Sequence, residues 1–218
     1  LAAALALAGG ALLTQAYGQE SQEALAAQLA ARSQGEVAYH AQTGLLRYYS
    51  AGPDTTATAL QLAQAGPATS PDPQTVARSF LDAYGSLFGV HAPDKELALH
   101  NHDDADRGRS FLRYQQLYHG VPVMAGELIL QVAADTVLSA HGELAPITSL
   151  GVDPNIPAAQ ARENALAAVA KANDMAAEHF QVTEPELWVY DPRLLTPYDM
   201  PARLVWRMEV SSPDAMLH

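Results

Sequence analysis

The chain contains no cysteine among its 218 residues. This absence excludes disulfide bonds, thiolate zinc sites and a cysteine nucleophile. It does not exclude secretion, because a domain of this size can be stabilised by core burial alone. Hydrophobic residues make up 49% of the chain, which predicts packed cores rather than global disorder.

Basic residues are scarce. The chain has 12 Lys and Arg against 24 Asp and Glu, a formal net charge of −12. This balance argues against binding to nucleic acid or to an anionic membrane surface, since both require clustered positive charge. The acidic surface favours solubility, and a basic partner is the alternative explanation.

The sequence has few long apolar runs. Residues 1–13 form one without a charge. It is too short to cross a hydrocarbon core of ~30 Å as a helix, but it suits the hydrophobic region of a secretory signal. Residues 14–18 offer small residues for signal cleavage. Because no Met and no basic segment precede this run, we expect that the first residues of the native chain are missing; a buried N-terminal helix is the alternative.

Common catalytic motifs are also absent. The sequence has no HExxH zinc pattern, GxSxG, P-loop or Rossmann glycine pattern. His100 and His102 would share a strand face next to Asp103, Asp104 and Asp106, where an incidental metal could bind. A hydrated turn is the favoured interpretation, so we predict no catalytic and no metal-binding residues. An enzyme that uses these histidines is a minor alternative.

The N-terminal region predicts a helix and a hairpin. Residues 21–32 are rich in Ala, Glu and Gln, which favour a helix, but the alanine-rich apolar face predicts weak docking or none. Residues 36–40 and 45–49 flank Gly44 and predict a hairpin. Residues 51–73, rich in Gly, Pro, Ser, Thr and Ala, predict a linker.

A second helix should begin at Asp72. Aspartate is a favoured N-cap and Pro73 a favoured first helical residue. Gly89 tolerates the left-handed conformation that ends a helix. The apolar residues that recur at helical spacing are Val76, Phe80, Leu81, Tyr84, Leu87 and Phe88.

A sheet should follow this helix. Strands are predicted at residues 96–100, 110–118, 121–132 and 137–143, with a polar turn at 103–108. Four strands with short connections imply an antiparallel meander. A helix packed on such a sheet gives an α+β fold.

The C-terminal region repeats this order. A linker over residues 145–157 precedes a helix at 158–171. Strands at 186–190 and 203–210 are joined by a proline-containing loop. Trp188 and Trp206 are predicted core or cross-strand residues. The fold class is therefore α+β, with two small units that each pack a helix on an antiparallel sheet.

Residues 111–128 form the most informative segment, two predicted strands joined by a tight turn at Gly120. Together with the preceding helix and the acidic turn, this segment resembles the fungalysin/thermolysin propeptide (FTP) domain. One departure is Ala125, where that family commonly has glycine; alanine there predicts ordinary backbone angles. The residues that carry the motif, and thus the candidate interaction residues, are Arg113, Tyr114, Gln115, Gln116, Tyr118, Gly120, Pro122, Gly126 and Glu127.

Each of these residues also has a structural explanation. Gly120 and Pro122 fit turn geometry and an edge position. The side chains of Arg113, Gln115 and Gln116 would contact a partner, or would satisfy neighbouring strands or the carboxylate of Glu127. The sequence favours the structural explanation and leaves both open.

The C-terminal helix and hairpin resemble a PepSY domain, which commonly follows FTP. The residue patterns divide the preceding chain into a partial signal peptide at residues 1–18 and an N-terminal helix, hairpin and linker at 19–66. The resemblance implies an FTP domain at 67–150 and a PepSY-like domain at 151–218, which we expect to be truncated.

By resemblance, the chain is the non-catalytic propeptide of a secreted thermolysin-like zinc metallopeptidase. Such a zymogen segment acts as an intramolecular chaperone and inhibitor, and its partner is its own catalytic domain in cis. No cofactor is expected in this segment; zinc and calcium would belong to the catalytic domain. The alternative is a free-standing secreted module that binds or inhibits a protease in trans.

Overall fold

The computed structural model describes residues 21–56, residue 60, residues 71–198 and residues 200–212. The predicted signal sequence and most of the first predicted linker lie outside these residues. The described chain has an α+β fold built on an antiparallel sheet, as the sequence predicted.

The N-terminal and central elements follow the predicted order. The helices are α1 (residues 21–33), α2 (Pro73–Tyr84) and α3 (Pro93–Glu96), with a 3-10 turn at Gly85–Phe88. The strands are β1 (Glu36–Tyr39), β2 (Leu46–Ser50), β3 (Leu97–Ala105), β4 (Arg109–Tyr118), β5 (Val121–Ala133) and β6 (Thr136–Glu143).

The C-terminal elements are a long helix and four short strands. They are α4 (Ala158–Asn173), β7 (Gln181–Val182), β8 (Glu186–Tyr190), β9 (Arg203–Arg207) and β10 (Val210–Ser211). The predicted strand at 203–210 is therefore too long. Its end separates as β10, because Val210 pairs with Val182 of β7.

Helix α2 begins as its sequence predicted. The Asp72 carboxylate accepts a hydrogen bond from the Thr75 N–H at 3.2 Å, and Pro73 occupies the first turn. Gly89 adopts φ 81° and ends the 3-10 turn that follows α2. The side chains that α2 buries are Val76, Ala77, Phe80, Leu81 and Tyr84.

The main sheet has the strand order β1-β2-β6-β5-β4-β3. The N-terminal hairpin extends it, since Tyr49 of β2 pairs with Ala140 of β6. The expectation that α1 docks weakly is wrong, because Ala26 and Leu29 are 1% and 0% exposed. Small side chains let the helix backbone approach the core closely, so alanine does not prevent docking.

Strand β3 is longer than predicted. Asp103 pairs with Phe111, and Asp104 pairs with Ser110, so the predicted turn narrows to Asp106–Gly108. Consecutive acidic residues are tolerated there because β3 is an edge strand, where charges discourage pairing with other chains.

The C-terminal hairpin continues the sheet. Val189 of β8 pairs in parallel with Val123 of β5, and Trp188 lies opposite Val205 of β9, a cross-strand position. A second buried cluster forms at this junction from Val123, Ala145, Val189 and Leu194.

Candidate functional site

The β4–β5 hairpin turns through two residues. His119 and Gly120 both have positive φ, 48° and 83°. This is the pattern of a type I′ turn, whose twist matches the flanking strands. A Cβ added to Gly120 would meet no described atom within 4 Å, so glycine is favoured there by its backbone angle rather than by lack of space.

A wide bulge interrupts β5. Gln115 pairs with Glu127 and Leu117 pairs with Pro122, so residues 123–126 of β5 lie opposite Gln116 alone. Ala125 in this bulge has φ 60°. The prediction of ordinary backbone angles at Ala125 is therefore wrong, since the bulge requires the left-handed region that glycine adopts without strain.

Two residues stabilise the bulge from within. The Gln115 Nε2 donates to the carbonyl oxygens of Val123 at 2.7 Å and Gly126 at 3.0 Å. A Cβ at Gly126 would lie 2.7 Å from the Gln116 Oε1 and 3.0 Å from the Val123 Cβ. Gly126 is thus required by close approach, whereas Gly120 is required by conformation.

Gln116 and Tyr118 hold the segment that follows β6. The Gln116 Nε2 donates to the Ala145 carbonyl and its Oε1 accepts from the Ala145 N–H, both at 2.9 Å. The Tyr118 hydroxyl accepts from the Leu150 N–H at 3.1 Å. Gln116 is only 7% exposed, so water cannot reach this contact easily. The Gln116 amide therefore satisfies the buried N–H and carbonyl of Ala145 in place of a backbone partner.

Tyr114 points towards the main core. It is half-buried and packs against the cluster beneath α2. Burial raises its pKa to about 12, with a smaller contribution from the negative charge of Asp72, while Arg78 acts in the opposite direction. The phenol therefore stays protonated over the ordinary pH range.

Arg113 and Glu127 point to the opposite side of the sheet. The Arg113 Nη1 lies 2.6 Å from the Glu127 Oε2, and the two side chains are 43% and 42% exposed. Glu127 lies opposite Glu143 of β6, which has its own partner in Arg47 at 2.8 Å. Each of the two facing carboxylates therefore has a guanidinium, which offsets their mutual repulsion.

The nine candidate residues therefore fall into two groups. In the internal group, Tyr114 packs against the main core, while Gln115, Gln116, Tyr118 and the two glycines shape the hairpin and its attachment, with half-buried Pro122 opposite Leu117. Arg113 and Glu127 keep about two fifths of their side chains in solvent. Sequence reasoning missed Ala145 and Leu150, which contribute backbone groups and carry no side-chain signal.

The predicted alternation at His100 and His102 is interrupted. Leu99 pairs with Tyr114 and Asn101 with Arg113, so His100 occupies a bulge and the expected shared face is not formed. Among the described residues, no group of three or more His, Asp or Glu is arranged to hold a metal ion. None of the helices described here is long and apolar enough to cross a membrane.

Residues 98–144 match the profile of the family described as the fungalysin/thermolysin propeptide motif. The match covers nearly all of β3 and continues through β6, including the hairpin, its bulge and the Arg113–Glu127 pair. It supports a propeptide role for this part of the chain. No curated protein matches the chain.

Proposed function

We propose that this chain is the propeptide of a secreted thermolysin-family zinc metalloendopeptidase. It is a non-catalytic segment that assists folding of the catalytic domain and inhibits it in cis. The observation that carries the proposal is the propeptide match over residues 98–144, which coincides with four consecutive strands of the main sheet.

The fixed hairpin suits this role physically. Hydrogen bonds from Gln115 hold the bulge, and those from Gln116 hold the segment after β6. Because these parts are already ordered, binding costs little further conformational entropy. A tethered inhibitor also acts at an effective concentration of about millimolar, so modest contacts suffice until cleavage releases it.

The rest of the chain has proposed assignments consistent with this function. Residues 1–18 would belong to a signal sequence, residues 19–66 would form the N-terminal region and residues 67–150 the FTP domain. The order α4, β8, β9 supports a PepSY-like unit over residues 151–218. Zinc and calcium would be bound by the catalytic domain, outside this chain.

The test is to add the purified chain to the catalytic domain encoded in the same precursor. Hydrolysis of a fluorogenic peptide measures inhibition, and recovery of activity after dilution from urea measures assisted folding. We expect inhibition and a higher refolding yield. A chain that produces neither effect contradicts the proposal, and inhibition restricted to a separately encoded protease would favour the free-standing module.

A further inference from the structure

The main sheet presents one face to α2 and one face to solvent. Cross-strand partners share a face, so the pairing register identifies the solvent side. We call this side the open face. Its two central rows are Tyr48, His141, Ile129, Arg113 and Asn101, and then Ser50, Ser139, Gln131, Phe111 and Asp103.

The opposite face forms the core. Tyr49, Ala140, Leu130 and Leu112 alternate with the open-face residues and are all 0% exposed. On the open face, Tyr48 is 39% exposed, and Ile129 and Phe111 are half-buried. A solvated sheet face usually carries polar side chains, so apolar residues at its centre require an explanation.

The composition of the open face is that of a binding surface. Aromatic side chains and arginine are enriched at interface centres and at the residues that dominate binding energy. Here Arg113 lies next to Ile129 in the same row, Phe111 lies diagonally beside Ile129 in the neighbouring row, and Tyr48 follows beyond His141. Because Arg113 is already bonded to Glu127, a partner that covers it buries a paired charge rather than an isolated one.

The charge of the open face restricts what can cover it. Its carboxylates are Glu36, Asp103, Glu127 and Glu143, against the guanidiniums of Arg109, of Arg113 and of Arg47, which bonds Glu143. The chain as a whole carries a net charge of −12, so a second copy would bring the same acidic excess and be repelled. The suitable partner has an apolar centre and a basic rim.

We infer that the open face docks on such a surface of the precursor's own catalytic domain, with Ile129 and Arg113 at the centre of the contact. The inference rests on the proposed function. The matched residues 98–144 supply β4, β5, β6 and nearly all of β3, four of the five strands that form the two central rows.

The experiment compares inhibition constants against the precursor's catalytic domain. Ile129→Lys places a charge at the centre of the open face. We expect it to raise the inhibition constant by roughly tenfold or more, the size of effect seen at interface hot spots. Leu195→Lys is the matched control, because Leu195 is a 52% exposed leucine of the C-terminal unit. It should change inhibition less than about twofold.

A second variant guards against misfolding. Arg113→Ala combined with Glu127→Ala removes an exposed pair without leaving an unpaired charge, so its melting temperature should stay near that of the wild type. We expect it also to weaken inhibition. If the wild-type chain inhibits and the open-face variants inhibit equally well, the inference is wrong. If the wild-type chain does not inhibit at all, the proposed function is wrong.

A third measurement tests which partner covers the open face. Carbodiimide labelling of Glu127 and Glu143 should fall when the catalytic domain is bound, and unchanged labelling would oppose the inference. Sedimentation of the chain alone should show a monomer. A dimer that Ile129→Lys dissociates would instead assign the open face to a second copy and overturn the proposal.

Discussion

At the scale of single residues, the backbone of the β4–β5 turn and of the β5 bulge determines which residues fit. Gly126 has no room for a side chain, and Gly120 needs a positive φ. Ala125 meets the same conformational requirement with a less suitable residue, because its φ of 60° brings the Cβ close to the backbone. The sequence showed the unusual alanine but could not show that the bulge forces its conformation.

Ala125→Gly should stabilise the protein by about 1 kcal/mol, because glycine relieves the left-handed strain. Urea unfolding followed by circular dichroism measures the change. Ala133→Gly, at the end of the same strand, is the control and should destabilise by roughly 0.5–1 kcal/mol. Equal effects of the two substitutions would mean that the bulge conformation is not strained.

The raised pKa of Tyr114 predicts that the stability of the protein falls at alkaline pH. Its folded-state pKa of about 12 lies above the ordinary value of 10.0, so between these values the unfolded state loses a proton that the native state keeps. Its stabilising contribution is complete below pH 10 and is lost as pH rises towards 12. Tyr114→Phe should therefore show a smaller loss of stability between pH 9.5 and 11, roughly, than the wild type.

Urea unfolding at several pH values across that window measures the difference. Tyr198→Phe, at a position that is 67% exposed, is the matched control. If the free energy of unfolding of Tyr114→Phe and of the wild type fell equally with pH, the Tyr114 phenol would not contribute to the pH dependence.

At the scale of elements, the sequence predicted most helices and strands and missed several connections. Caps and turn residues such as Asp72 and Gly120 are local signals, and the elements beside them were predicted well. The length of β3 depends on its pairing with β4 across the turn, and the end of β9 depends on the distant pairing of Val210 with Val182; local patterns contain neither. The Gln116 contact with Ala145 is of the same kind, since it joins residues 29 positions apart.

Gln116→Ala should destabilise by about 2–4 kcal/mol, because it leaves the buried N–H and carbonyl of Ala145 without partners. Thermal unfolding measures the loss. Gln160→Ala on exposed α4 is the control and should change stability by less than about 0.5 kcal/mol. A loss at Gln116 no larger than at Gln160 would show that water replaces both hydrogen bonds.

At the scale of the whole molecule, β5 connects the two halves of the described chain. Its Val123 is 0% exposed, yet its packing partners belong to the second cluster, with Val189 and Leu194. The C-terminal hairpin thus depends on a residue contributed by the propeptide-motif strands.

Val123→Ala should therefore loosen the C-terminal hairpin more than the main sheet, since it opens a cavity worth about 2 kcal/mol at the junction. Amide hydrogen exchange should speed up in β8 and β9 while β6 remains protected. Val137→Ala, in the main core, is the control and should affect β6 instead. The same exchange pattern for both variants would contradict a locally coupled junction.

The sequence by itself determined the α+β class, the caps and turns, the candidate hairpin and the propeptide resemblance, because these follow from local periodicity and short motifs. Only the tertiary structure decided that the N-terminal hairpin joins the main sheet and that β8 adds to β5. It also divided the motif residues between internal supports and an exposed pair. The physical reason is that strand pairing, and the side of the sheet on which each side chain lies, depend on partners distant in sequence. A single bulge, as at residues 123–126, changes both the pairing register and the side on which the following side chains lie.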